Sequence, residues 1–436
     1  MTLRYFGTDG IRGPAFAPPL TLDEAARWGR AWAEVAERRG VRTLVLGWDP
    51  RLSSLPLAQA FVAGLGRAVR PRVLGMVPTP AVAWATAREP EAWGVMISAS
   101  HNPPEDNGLK GFNGAGEKLE PAEEEAIEAA FEEGTCAENA PATLARDEAP
   151  VEAYLAHLGL LELGPDLPVV VDCAHGATAP WACRVLGGAV AWTGVPADGA
   201  RINVGVGSTH LEHLQAEVRR TGAALGLAFD GDGDRCLLVD GEGTLVDGDQ
   251  MLWLLALDRL ESGDPPLGVV GTLMSNGGLE EALAARGVPF ARTPVGDKFL
   301  LRKLAETGWD LAAEASGHVI QKRLGPSGDG LATAQAVLRA LQRRPAGHRW
   351  DWRFPAWPHR LVNLKAARRR PLEDCARLQA ALSELEAAHG PGLRLVVRWS
   401  GTEPKLRLMG EARDPGLLAG AMARLEAAAA GDLDLG

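Results

Sequence analysis

The sequence is poor in several features that would each announce a class of protein. Its 436 residues include five cysteines: Cys136, Cys173, Cys183, Cys236 and Cys375. They are scattered, odd in number and without a Cys-x-x-Cys pair, so neither a zinc site nor a disulfide framework is implied. A reducing cytoplasm is the simplest setting for such a chain. No apolar run approaches the ~20 residues of a membrane-crossing helix, and the opening Met1-Thr2-Leu3-Arg4-Tyr5-Phe6 has no signal-peptide pattern. Positive charge is in deficit. The formal net charge is −11, and lysine is scarce beside arginine. That balance argues against nucleic acid or an anionic membrane as the main partner, although local basic clusters can still hold small anions. No Gly-x-x-x-x-Gly-Lys-[Ser/Thr] loop occurs, so a nucleotide donor is not indicated.

What the chain does contain is a steady alternation of short apolar runs with helical periods. This predicts α/β units with mixed, largely parallel sheets. Composition and rhythm divide it into residues 1–149, 150–247, 248–355 and 356–436. The first three units are α/β; the last is smaller and α+β. Thr21 and Glu24 make a capping box for a helix over about 22–39. Asp49-Pro50-Arg51-Leu52-Ser53-Ser54 reads as a loop capping the helix after it. The acidic helix around 121–133 is expected to be solvated, and 137–150 to be a linker.

Chemistry concentrates in a few loops. A buried strand over 94–98 runs into Ser98-Ala99-Ser100-His101-Asn102-Pro103, with Lys110 beyond an Asn107-Gly108 turn. Ligands bind at such strand ends in parallel α/β sheets. Ser100 is therefore a candidate group-transfer nucleophile, against the alternative of a serine that caps the next turn. Asp230-Gly231-Asp232-Gly233-Asp234 places carboxylates at alternate positions, with glycines that permit tight turns. Three such groups suit one hard cation, magnesium rather than calcium, with room left for a phosphate oxygen. An EF-hand fails because Arg235 occupies the sixth position and a strand follows. A solvated acidic turn is the plainer alternative. Arg235 would reach the same phosphate. Arg398, Ser400, Gly401, Thr402 and Arg407 form an anion cradle, most naturally for phosphate. Glu314, Ser316 and His318 suit sugar hydroxyls. Arg12, held in Gly7-Thr8-Asp9-Gly10-Ile11-Arg12-Gly13, suits an anion. A cation site together with a phosphate cradle implies phosphoryl transfer, and a serine nucleophile implies a covalent phosphoenzyme.

These motifs resemble the α-D-phosphohexomutase superfamily over essentially the whole chain. Glu105-Asp106-Asn107-Gly108, Asn203-Val204-Gly205, Met274-Ser275-Asn276, Gly296-Asp297-Lys298 and Ser316-Gly317-His318 point to its glucosamine-phosphate branch. Ala315, Gly111 and Trp399 depart from the usual pattern, but none removes a charged or hydroxyl group from the scheme. The resemblance implies four domains around a central cleft, each supplying one catalytic loop. It implies interconversion of glucosamine 6-phosphate and glucosamine 1-phosphate through a hexose 1,6-bisphosphate, on the route to UDP-N-acetylglucosamine. It also implies one Mg²⁺ per chain held by Asp230, Asp232, Asp234 and the phosphorylated Ser100. Lys110 is the candidate general acid/base, supported by His101 and Arg12. A monomer or homodimer is expected. Mannose or glucose phosphates as substrates, and a non-catalytic sugar-phosphate-binding protein, are the alternatives.

Overall fold

A computed structural model describes residues 3–134, 141–399 and 405–433. Four main sheets carry the fold. The first has six strands in the order Phe6–Gly7, Gly10–Pro14, Asp106–Phe112, Ala92–Ile97, Thr43–Trp48 and Arg70–Met76. Its last three strands are parallel, and the others pair antiparallel. The second has five strands, ordered Ala191–Thr193, Val169–Asp172, Leu225–Phe229, Cys236–Asp240 and Leu245–Val246. The third has four, ordered Phe290–Thr293, Val269–Thr272, Leu311–Ala313 and Val319–Gln321. The last has three antiparallel strands, His359–Lys365, Lys405–Ala412 and Leu393–Trp399. Mixed sheets in three α/β units and a smaller C-terminal one match the expected class.

The first three sheets repeat one arrangement. In each, a strand of the parallel set is followed by an antiparallel neighbour: Ala92–Ile97 by Asp106–Phe112, Leu225–Phe229 by Cys236–Asp240, and Leu311–Ala313 by Val319–Gln321. The connecting segments, 98–105, 230–235 and 314–318, are the three loops singled out by their chemistry. Equivalent positions in three related sheets explain why loops far apart in sequence face one another.

Packing follows the apolar pattern. One buried cluster runs through the first three units, from Val45 to Phe354, whereas the C-terminal unit has its own, from Cys375 to Leu433. The helix Leu22–Arg38 starts at the predicted Thr21/Glu24 capping box. It packs on the helix Pro121–Glu133, where Trp28 and Phe131 stack with centroids 3.6 Å apart.

That second helix corrects one expectation. Glu123, Glu124 and Glu128 on it are buried, not solvated. Glu128 accepts hydrogen bonds from the backbone N–H groups of Arg4, Tyr5 and Phe6 and so pins the N-terminal segment. A charge run reads as a solvated face until a distant strand supplies the donors. The loop 49–54 needs a second correction. Ser53 makes no side-chain cap on the helix Ser54–Leu65. Ser54 Oγ instead donates to Asp49 Oδ1 at 2.8 Å.

Candidate active site

Ser100 sits at the end of the strand Ala92–Ile97, 1% exposed. Its φ of 54° is left-handed, a conformation that disfavours a side-chain-bearing residue by about 1–2 kcal/mol. Several contacts hold it there. Its N–H donates to Ser98 Oγ at 2.8 Å. Its carbonyl accepts from Arg51 Nη2 and Asn203 Nδ2, each at 2.9 Å. Arg51 also donates to the carbonyls of Asn102, Pro103 and Asp106, and its charge is paired with Asp49 at 2.8 Å. Arg51 and Asp49 are buried, so the nucleophile loop is wrapped around an internal ion pair. The loop presents Ser100 Oγ 2.6 Å from Asp230 Oδ2 and 3.3 Å from His101 Nδ1.

Asp230, Asp232 and Asp234 converge as their spacing predicted. One oxygen from each lies within 4.8 Å of the others. Gly233 takes a left-handed φ of 72°, and a Cβ on Gly231 would lie 2.6 Å from the Ser100 carbonyl. The glycines thus permit both the turn and the approach of the two loops. Burial, then the neighbouring carboxylates Asp234 and Asp232, push the Asp230 carboxyl well above its ordinary range. Asp232 Oδ1 and Asp234 Oδ1 are buried without hydrogen-bond partners. Three clustered carboxylates with two unspent oxygens fit a hard divalent cation.

Lys110 belongs to this cluster. Its ammonium is 2.5 Å from Asp232 and 3.3 Å from Asp234. Burial opposes its charge, but Asp232 and Asp234 outweigh burial and raise its pKa. Lys110 is therefore held protonated. Thr79 Oγ1 donates to Asp232 at 2.5 Å. His101 lies at the other extreme: burial, Arg235 and Arg12 lower its pKa to about 3, so the ring is neutral.

Beside these loops lies a cavity of about 230 Å³ lined from all four units: Thr8 and Asp9, Asp234 and Arg235, Val295 to Asp297 with Glu314 and His318, and Arg398. Glu314 Oε1 accepts from the Gly296 N–H at 2.8 Å, and its other oxygen accepts from Ser316 Oγ at 3.2 Å. Burial disfavours charge on His318, but Asp234, 3.8 Å away, lifts its pKa to about 9.

Domain models of the phosphoglucomutase/phosphomannomutase family match almost end to end. Alpha/beta/alpha domains I, II and III match residues 3–138, 152–243 and 247–349, and the C-terminal domain matches 361–428. The chain belongs to this family. Phosphoglucosamine mutases of Escherichia coli O1:K1 and Escherichia fergusonii are 43% identical to it over 426 residues, 94% of this chain and 95% of theirs. A phosphoglucomutase/phosphomannomutase family protein of Burkholderia thailandensis superposes with a TM-score of 0.83 at 25% identity, covering all of both chains. The fold also matches Aspergillus fumigatus N-acetylphosphoglucosamine mutase at a TM-score of 0.65 and 17% identity, covering 98% of this chain and 95% of that one.

In this phosphohexomutase the remaining predicted residues divide into three groups. Arg12 Nη2 donates at 2.9 Å to Asp9, which lines the cavity, and its Nε is buried without a hydrogen-bond partner. Arg235 Nε is likewise buried without a hydrogen-bond partner, 3.9 Å from Asp234 Oδ1, and the backbone N–H of Arg235 donates to Asp230 at 3.2 Å. Arg398 lines the cavity, and Arg407 is its register partner across the strand pair Leu393–Trp399/Lys405–Ala412. Burial, then Arg407, lowers the pKa of Arg398. Ser400, Gly401 and Thr402 lie outside the described residues. Three contributors went unassigned in the sequence. They are the Asp49/Arg51 pair, Asn203, and Lys118, which bridges Asp9 at 3.3 Å and Asp297 at 3.2 Å. Only Asp49-Pro50-Arg51, opposite charges on a strand-end loop, carried a local signal.

Proposed function

We propose that this phosphohexomutase interconverts glucosamine 6-phosphate and glucosamine 1-phosphate by phosphoryl transfer through Ser100. One observation carries the reading. A buried serine hydroxyl lies 2.6 Å from a carboxylate of a three-aspartate cluster, beside a cavity built by all four units. The named Escherichia relatives support the amino sugar as substrate.

Asp230, Asp232 and Asp234, with an oxygen of the phosphorylated Ser100, would hold one Mg²⁺. Bound there, the ion would neutralise phosphate charge and polarise the transferring group. The chain's own groups do the rest. Ser100 carries the phosphoryl group, and its left-handed backbone, clamped by Arg51 and Asn203, aims Oγ at Asp230. Arg398, Arg407, Ser400, Gly401 and Thr402 hold the phosphate that is not reacting. Glu314, Ser316 and His318 read sugar hydroxyls, and Arg235 steadies the group in transit. Transfer from Ser100 to O1 gives the 1,6-bisphosphate. After the sugar turns over, the 6-phosphate returns to Ser100 and glucosamine 1-phosphate leaves. A hexose 1,6-bisphosphate would prime the serine. Protonated Lys110 supplies a positive charge and a proton beside the transfer path, with His101 and Arg12 in support.

Among the described residues no helix is long and apolar enough to cross a membrane. The free cysteines Cys173, Cys183, Cys236 and Cys375 support a reducing cytoplasmic setting.

Ser100→Ala tests the reading. Intact-mass spectrometry should show one phosphoryl group on the wild type and none on the variant, with mutase turnover abolished; an active alanine variant would sink the mechanism. Asp232→Asn should lose both activity and Mg²⁺ dependence. Relative rates on glucosamine, mannose and glucose phosphates, primed with a hexose 1,6-bisphosphate, decide the sugar.

A further inference from the structure

A second cavity of about 230 Å³, equal in volume to the catalytic one, opens on the third unit. It lies between the helices Gly248–Glu261 and Gly330–Gln342 and the strands Leu311–Ala313 and Val319–Gln321. Its floor is apolar, made by Leu255, Leu311, Leu324 and Ala336. Its rim carries four arginines, three of them committed. Arg259 donates to Asp310 at 2.7 Å, Arg343 donates to Asp258 at 2.9 Å, and Arg323 pairs with Asp264 and Asp310. The fourth, Arg339, is exposed, and its guanidinium has no hydrogen-bond or ion-pair partner among the described residues. Gln321, also on the cavity wall, has a buried amide nitrogen without an acceptor.

The chemistry selects a ligand class. An apolar floor disfavours a polyhydroxylated sugar, whose hydroxyls would lose water without gaining partners. One uncommitted guanidinium matches one negative charge. A dianion would place its second charge beside Asp258 and Asp310. An apolar body ending in a single carboxylate satisfies the floor, Arg339 and the Gln321 amide together.

The walls of this cavity reach the catalytic loops at their other ends. The N–H of Gly248, at the start of one helix, donates to the Ala315 carbonyl at 3.1 Å. The N–H of Gly330, at the start of the other, donates to the Gly233 carbonyl at 3.0 Å, within the three-aspartate loop. The two strands are joined by the turn that holds Glu314, Ser316 and His318. A molecule seated among these four elements presses on rigid bodies that end at the substrate.

We infer that this cavity is a regulatory site for a small amphipathic monoanion, whose binding shifts the affinity of the enzyme for sugar phosphate. Calorimetric titration of the full-length protein with benzoate, 4-phenylbutyrate and octanoate tests it, with 4-phenylbutyramide as the neutral control. At least one carboxylate should bind the wild type, and Arg339→Ala should weaken that binding roughly tenfold, the loss of one charge-assisted hydrogen bond. The amide should bind correspondingly more weakly than its acid. The bound carboxylate should change the KM for sugar phosphate at least about twofold in the wild type and leave it unchanged in Arg339→Ala. Failure of all three acids to bind overturns the inference. So does equal affinity in Arg339→Ala, equal affinity for the amide, or binding that leaves KM unmoved. Arg339 is exposed and outside the catalytic machinery, so its replacement leaves basal turnover as the internal reference.

Discussion

Replacing Arg51 by methionine should cost both stability and catalysis, and the two losses are separable. The side chains of Arg51 and Asp49 are each 0% exposed and 2.8 Å apart. Burial pushes the Asp49 carboxyl up, and the Arg51 guanidinium is the strongest influence holding it down. Methionine fills the same space but leaves a buried carboxylate without its counter-charge. It also removes one donor from each of four carbonyls, those of Ser100, Asn102, Pro103 and Asp106, leaving the first two to the Asn203 amide. Breaking a buried pair from one side costs about 3–5 kcal/mol. The Ser100 backbone stores about 1–2 kcal/mol in its left-handed conformation, and two of its restraints, the Arg51 and Asn203 bonds, meet on one carbonyl. Without Arg51 the loop has a reason to relax, and a shift of about 1 Å at a nucleophile lowers rate about 10²-fold. Ile127→Ala is the control. Ile127 is fully buried in the same unit but away from the loop, and its truncation costs about 2–5 kcal/mol in stability alone. Thermal unfolding by circular dichroism and mutase turnover per folded molecule should show both variants destabilised but only Arg51→Met slowed. An Arg51→Met enzyme with wild-type turnover would refute the clamp.

Other expectations concern residues outside the reacting centre. Burial raises the Asp329 carboxyl from 3.8 to about 6, so the native state binds its proton more tightly than the unfolded chain. Its contribution is therefore greatest below pH ~4 and is lost as pH rises through ~6, on the order of 3 kcal/mol in all; denaturation midpoints of Asp329→Asn against wild type should diverge across that window in favour of the variant. Glu128→Gln keeps the shape but surrenders one of two oxygens shared among three backbone donors, and should lower unfolding stability by about 1–3 kcal/mol in a denaturant titration. Lys118→Met unties Asp9 from Asp297, both on the cavity wall. It should raise the KM for sugar phosphate severalfold, and an unchanged KM would show that the bridge positions nothing.

The nucleophile loop, the three-aspartate turn and most strands were legible because their signals are local. Alternating apolar runs fix which residues face a sheet, and Asp230 to Asp234 carry their spacing within five consecutive positions. What could not be read was assembled across distance. Glu128 belongs to a run that looks solvated, and only contact with residues 4–6 turns it into an anchor. Arg51 lies about fifty residues before the carbonyls it gathers. Lys110 shows the limit most clearly. Its place one turn after Ser100 suggested a proton carrier, but its partners Asp232 and Asp234 come from a different unit, and they decide its charge. Three buried carboxylates repel, and Lys110 offsets part of that repulsion from a strand that also helps to aim Ser100. The same lysine therefore couples the anion-handling and cation-handling halves of the site. Lys110→Met should weaken both Mg²⁺ dependence and phosphoserine transfer, whereas loss of a proton carrier alone would spare the metal; titrating activity against Mg²⁺ in that variant separates the two roles.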